Sequence, residues 1–184
     1  PEKWSVLRLS EISKCIMGQS PKGSTYNNLA NGAPLINGPA DYKYGSIFCK
    51  TYTTQPTRMC CKDDLVLCIR ATIGNLVFSE GDFCLGRGVA AIRPNQKSYS
   101  ELIYFHLLNQ IKIYQKLATG SIIKGISKDD LENSYCLIPD KIILDKFHQT
   151  IKPIFDLQRI LKKENIFLSE FNSWLLPLLI NKQA

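Results

Sequence analysis

Short apolar runs dominate the middle of this chain, and a longer periodic pattern dominates its end. Asp64-Leu-Val-Leu-Cys-Ile-Arg70, Asn75-Leu-Val-Phe78 and Gly88-Val-Ala-Ala-Ile-Arg93 are separated by Thr72 to Gly74 and by Glu80 to Asp82. Runs of this length, bounded by turn formers, predict neighbouring strands of one sheet. Ser100 opens a different period: Ile103, Leu107, Ile111, Tyr114 and Ala118 recur at steps of three and four, which predicts a helix with a buried stripe, ending near Gly120. Ser127 with Asp130 three residues on is a capping-box start for a short helix, so residues 120–126 form a basic, glycine-bearing connector. Tyr135 to Ile138 reads as a last strand, closed by Pro139.

The two flanks differ in texture. Trp4 to Ile16 reads as a strand entering a helix, with Ser10 as its cap, and Met17 to Gly23 then breaks regularity. Between residues 18 and 64, Gly18, Pro21, Gly23, Gly32, Pro34, Gly38, Pro39, Gly45 and Pro56 predict short strands, Leu35-Ile36 among them, joined by long loops. From Ile142 onward glycine is absent. Phe147, Ile154, Leu161, Leu168 and Leu175 fall every seven residues, and Leu157, Phe171 and Leu178 occupy a second position of the same repeat, with Glu164 interrupting it. A stripe sustained over four repeats predicts one long helix that pairs with another, the alternative being a long helix packed on its own domain. Pro153 predicts a kink or a second helix start. The expected organisation is a mixed α/β domain over 1–140 and a long pairing helix over 141–184.

Composition narrows the class. The chain has 184 residues, 45% hydrophobic and 21% charged, enough for one full core and an appendage. No apolar run is long enough for a membrane span, so a cytoplasmic protein is expected. Seven cysteines, with Cys60 and Cys61 adjacent, favour reduced thiols over a disulfide framework.

The net charge is +7, and its placement is informative. Between Lys14 and Lys62 stand Lys14, Lys22, Lys43, Lys50, Arg58 and Lys62 against Asp41 alone, among hydrogen-bonding residues such as Asn28, Asn37, Tyr42 and Gln55. That mixture suits a duplex, whose phosphates take lysine and arginine and whose base edges take amides and guanidinium groups. A solvated face of a mildly basic protein is the plainer alternative. The residues expected to touch DNA are Lys22, Tyr26, Asn27, Lys43, Tyr44, Lys50 and Tyr52 from the front loops, Arg70 and Arg87 from strand ends, and Ser121 and Lys124 from the connector. For Arg70 the competing role is an ion pair with Asp63 or Asp64; for the tyrosines it is core packing.

Catalytic patterns are lacking. His106 and His148 lie in helices without a local nucleophile or carboxylate partner, the cysteines show no C-x-x-C spacing, and Gly86-Arg-Gly-Val-Ala-Ala91 leads into a strand where a dinucleotide turn would lead into a helix. Pro139-Asp140 could begin a nuclease-type acidic motif, but no Asp/Glu-x-Lys follows at strand spacing. Neither cofactor nor metal is implied.

In order along the chain stand Trp4-x-x-x-Arg8-Leu9, Gly18-x-Ser20-Pro21, Gly32-x-Pro34-x-Ile36, Asp64-x-Val66-Leu67 running into Arg70-x-x-Ile73-Gly74, then Thr119-Gly120-Ser121 and Ile126-Ser127 before an apolar strand ending at Pro139. With the tail from Trp174 to Asn181, this series resembles half of a specificity subunit of a Type I restriction-modification system: one target recognition domain followed by one conserved-region helix. Ile123 and Lys124 depart from it, standing where many members carry a glutamine nearby. The resemblance implies a non-catalytic subunit whose loops read one half of a split double-stranded DNA target. It implies that the helix acts as spacer, docks modification (methyltransferase) subunits and pairs with another copy or with the second half of the subunit. The helix-pairing residues would be Phe147, Ile154, Leu157, Leu161, Leu168, Phe171 and Leu175. Two other readings stay open: a recognition module cut from a fused restriction-modification enzyme, and a protein scaffold for which the helix alone matters.

Overall fold

The structure, a computed structural model, describes residues 3–70, 72–118 and 125–180. The front of the chain runs β1 (Ser5–Arg8), α1 (Leu9–Ile12), β2 (Ser13–Met17), β3 (Tyr26–Asn27), β4 (Ala33–Ile36), β5 (Tyr42–Lys43), β6 (Ser46–Ile47), β7 (Thr51–Thr53) and β8 (Met59–Cys60). It continues through β9 (Leu65–Cys68), β10 (Gly74–Phe78), β11 (Phe83–Leu85), β12 (Val89–Pro94), α2 (Ser100–Ala118), α3 (Lys128–Glu132), β13 (Tyr135–Ile138) and α4 (Lys141–Ile180). This is the mixed α/β architecture expected, with several sheets and a long last helix.

Why β9 is a solid apolar run, with no alternation, follows from the layers. The antiparallel sheet β10-β9-β12-β2 is covered on both faces. Leu65 and Leu67 of β9, with Ala90 and Ile92 of β12, pack into one cluster with Ile103, Leu107 and Ile111 of α2. The intervening Val66, Cys68, Val89 and Ala91 pack into a second cluster with Ile36 and Leu85 of the mixed sheet β3-β7-β4-β11-β8. A strand buried on both faces has no position left for a polar side chain. Each such Leu or Ile taken out of water contributes about 1.5–3 kcal/mol. The three predicted strands are therefore neighbours, as their pattern required.

The first segment departs from expectation. The helix there is only the four residues of α1, its N-cap is Arg8, and Ser10 is not a cap. The chain then returns to extended backbone, because Cys15 and Ile16 pair with Ile92 and Ala91 of β12 and sheet pairing outweighs the local helical pattern. β11, three residues long, had no counterpart in the pattern, since it is defined by its parallel pairing with β4. The Ser127 capping box forms as expected: its hydroxyl accepts from Asp130 N–H at 3.1 Å and the Asp130 carboxylate accepts from Ser127 N–H at 2.8 Å. The expected last strand, β13, pairs with β1 in a separate ribbon.

Asp64 is buried, and its partner is Arg93, not Arg70: Nε and Nη2 donate to the two carboxylate oxygens, each at 2.8 Å. His106 bonds Ser134 Oγ at 2.9 Å, and burial lowers its pKa. Burial pushes the thiols of Cys15, Cys49 and Cys136 up to about 12, so these cysteines are protonated at neutral pH. Among the described residues no helix is long and apolar enough to cross a membrane.

Two compact units emerge, Pro1–His148 and Gln149–Ala184. The first turns of α4 belong to the front unit: Leu144 is buried, Phe147 sets its ring edge-on to Phe105 at 6.2 Å, and His148 Nδ1 meets the buried carboxylate of Glu101 at 2.5 Å. In the second unit α4 runs without interruption past Pro153, so no second helix starts there. The amide donors missing at Pro153 and at Pro177 are both absorbed inside a 40-residue element. Ile154, Leu157, Leu161, Leu168 and Phe171 stand exposed along it, and Leu175 is half-buried. Ile160, Phe167 and Trp174, also exposed and also seven apart, widen the stripe beyond the two heptad positions read from sequence.

Candidate nucleic-acid interface

Seven strands of the front unit bring an end to one rim. β4 and β11 are parallel, so Asn37 and Gly86 leave the mixed sheet side by side, with Gly86 N–H donating to Ile36 C=O at 2.7 Å. β12 starts there, β2 ends there, and β9 ends there: Gln19 N–H donates to Leu85 C=O at 2.8 Å and Ile69 N–H to Gly88 C=O at 2.9 Å. Arg58 C=O accepts from Leu85 N–H, which brings the residue before β8 to the same place. The antiparallel pairing of Leu35 with Thr51 puts Lys50 one step further toward the rim.

A hairpin springs from this rim. Directly after Asn37, the Asp41 carboxylate accepts from Asn37 N–H at 2.7 Å and Gly38 N–H at 3.2 Å, and Asp41 C=O accepts from Phe48 N–H at 2.7 Å where the chain returns. Between them β5 and β6 are joined by Tyr44 and Gly45, both with positive φ (53° and 73°), the backbone of a tight two-residue turn. Tyr42 and Ile47 root the hairpin in the second core cluster, and burial raises the Tyr42 phenol far above its ordinary range. Tyr44 is thereby held at the tip, 57% exposed, with the Lys43 ammonium 5.0 Å from its ring centroid and 5.8 Å from that of Phe48.

The connector meets the same rim. Ile126 N–H donates to Ile69 C=O at 2.9 Å. A β-carbon on Gly125 would lie 2.4 Å from that carbonyl oxygen and 2.7 Å from Arg70 Cγ, so only glycine fits. Ser121 and Lys124 lie outside the described residues.

The rim thus collects Lys43, Lys50, Arg58, Arg70 and Arg87, all exposed. Arg70 makes no ion pair among the described residues. The one acid in these loops, Asp41, is occupied by backbone donors. The opposite end of the same strands is mixed and not basic, with Asp63, Asp64, Glu80 and Asp82 beside Lys14, Lys62 and Arg93. A basic rim of this kind focuses positive potential on one end of the sheets.

The other residues expected to touch DNA fall elsewhere. Lys22 is exposed on the strap leading away from the rim, where its carbonyl accepts from Thr25 N–H and Oγ1. Tyr26, Asn27 and Tyr52 lie in the β3–β7 pair, half-buried. The Asn27 amide is spent on its own loop: Nδ2 donates to Asn31 C=O at 2.8 Å, and Oδ1 accepts from Leu29 N–H and Asn31 N–H. Sequence reading passed over Gln19 and named Asn37 and Arg58 only as members of the basic, hydrogen-bonding segment, because nothing local shows that they share an end of two sheets.

Residues 1–166 match the Type I restriction modification DNA specificity domain family, and the chain belongs to that family. A protein of Methanocaldococcus jannaschii named as the MjaX specificity subunit of a type I restriction enzyme is 31% identical over 98% of this chain and 43% of its own length. The crystal structure of the HsdS subunit from Thermoanaerobacter tengcongensis is similar with a TM-score of 0.67 at 28% identity, over 90% of this chain and 40% of that one. The S subunit of a type I system from M. genitalium shares the fold, with a TM-score of 0.70 at 16% identity, over 94% of this chain and 44% of that one. The chain therefore spans less than half the length of the relatives it matches.

Proposed function

We propose that residues 1–140 form a target recognition domain that reads one half of a split double-stranded DNA site through the basic rim and its hairpin. Residues 141–184 serve as spacer and docking helix. The observation that carries this is the concentration of positive charge: five cations on the loops at one end of the sheets, with the single acid there already engaged. Phosphates would be met by Lys43, Lys50 and Arg58, and Tyr44 at the hairpin tip offers a flat face to sugar or base. The exposed stripe of α4 would take up the modification subunits and the helix of a second half or second copy. The chain itself performs no covalent step, and any methyl transfer belongs to the partner.

The test is duplex retention by the full chain across a salt series. Each lysine that neutralises a phosphate contributes about 0.9 to the slope of log affinity against log salt. Lys50→Ala and Lys43→Ala should each weaken binding to all duplexes and flatten that slope by about one. An unaltered slope in both variants would remove the rim from the interface.

A further inference from the structure

Three backbone segments at the rim are tied so closely that no side chain fits between them. A β-carbon on Gly18 would stand 2.1 Å from Gly86 O, one on Gly86 3.0 Å from Ile36 O, and one on Gly88 2.2 Å from Asn37 O. Hydrogen bonds close the same knot: Gly18 N–H to Val89 C=O at 3.0 Å, Val89 N–H to Gly86 C=O at 3.2 Å, and Arg87 N–H to Ser20 Oγ at 3.2 Å. Thr57 Oγ1 adds a bond to Gln19 C=O. Contacts of this kind restrain backbone position at every participating residue.

Gln19, Asn37 and Arg87 are exposed at this knot, with the Asn37 Oδ1 lying against Gly86. None of their terminal groups has a hydrogen-bond partner among the described residues. Their residue types are those that grip base edges in pairs of hydrogen bonds, the amide on adenine N6 and N7 and the guanidinium on guanine O6 and N7. A short amide tolerates little positional error in making two bonds at once, and a glycine-locked backbone supplies the needed precision. Lysines on a hairpin tip or a loop have no such restraint, and phosphate contact needs none.

We infer that Gln19, Asn37 and Arg87 are the base-reading residues of this domain, selecting purine edges in the major groove, while the surrounding lysines and Arg58 only orient the duplex. This deepens the reading of the rim as a DNA face and depends on it.

The decisive experiment is selection from a duplex pool with a randomised centre by the full chain, with modification subunits present, comparing the parent with Gln19→Ala, Asn37→Ala and Arg87→Lys. The expected result is an unchanged salt slope and an unchanged melting temperature, with discrimination falling about tenfold at one or two adjacent base pairs for each variant. The affected pairs should be purine positions, guanine for Arg87→Lys. An identical consensus and identical discrimination in all three variants would overturn the assignment while leaving the rim as a DNA face. Uniformly weaker binding with a flatter slope would also overturn it, by making these residues phosphate contacts. A lowered melting temperature would overturn it by giving them a structural task instead. Retention of no duplex by the parent would instead bring down the underlying reading of the rim.

Discussion

Tyr44 holds a backbone conformation that suits glycine or asparagine, with φ at 53°. A large L side chain there costs about 1 kcal/mol relative to its ordinary conformations. Nothing in the packing requires an aromatic at that point, since the ring is 57% exposed and the hairpin is rooted by Tyr42 and Ile47. Such strain at a tip beside a lysine fits a binding role better than a structural one. Tyr44→Asn should therefore raise the unfolding midpoint by a few degrees while weakening duplex binding. Calorimetry and filter retention on the same preparation check both halves, and a stabilised variant with undiminished binding would take Tyr44 out of the interface. Tyr44 was legible as a candidate from the sequence. Asn27 was equally legible, yet its amide is consumed by the turn it sits in, a local geometry that composition does not display.

At the scale of elements, the strands hold the rim through backbone contacts that admit only glycine. Gly88→Ala would force a methyl group to within 2.2 Å of Asn37 O, a backbone atom that cannot swing aside. Overpacking of this kind costs about 1–3 kcal/mol. The urea midpoint should fall accordingly, and sequence discrimination should be lost before non-specific retention. Regular elements with their own period were readable in advance: α2 from its three-and-four spacing, α3 from Ser127 and Asp130, and β9, β10 and β12 from their apolar runs. β11 and the return of α1 into β2 were not. Each owes its conformation to a partner strand distant in sequence, Leu35 and Ile36 for β11 and residues 90–94 for β2, and a local pattern contains no information about that partner.

For the whole molecule the question is what α4 does with its exposed apolar face. Phe167 and Phe171 stack at 6.4 Å and Phe171 meets Trp174 at 6.1 Å, while Lys152, Asp156 and Arg159 form a polar group on the same helix. An apolar face of that extent, wider than the two positions per heptad of a simple two-stranded coil, calls for burial against another surface. The chain at 20.8 kDa should sediment as a larger species, and Leu161→Glu combined with Leu168→Glu should return it to monomer without loss of helix signal. A parent that sediments as a monomer at tens of micromolar would rule out self-pairing through the stripe.

Period and composition were enough to indicate a mixed α/β front, a long helix with an apolar stripe and a basic front half, while the ordered motifs carried the resemblance to the specificity family. These properties are local: amphipathic spacing, glycine and proline placement and charge counts depend on near neighbours along the chain. Only the tertiary structure decided which cations share a face. The parallel step of β4 beside β11, and the antiparallel runs of β2, β9 and β12, bring Gln19, Asn37, Arg58, Arg70 and Arg87 to one rim from far-separated positions. That convergence is set by strand direction and register, which arise from non-local pairing and leave no periodic trace in the residues they gather.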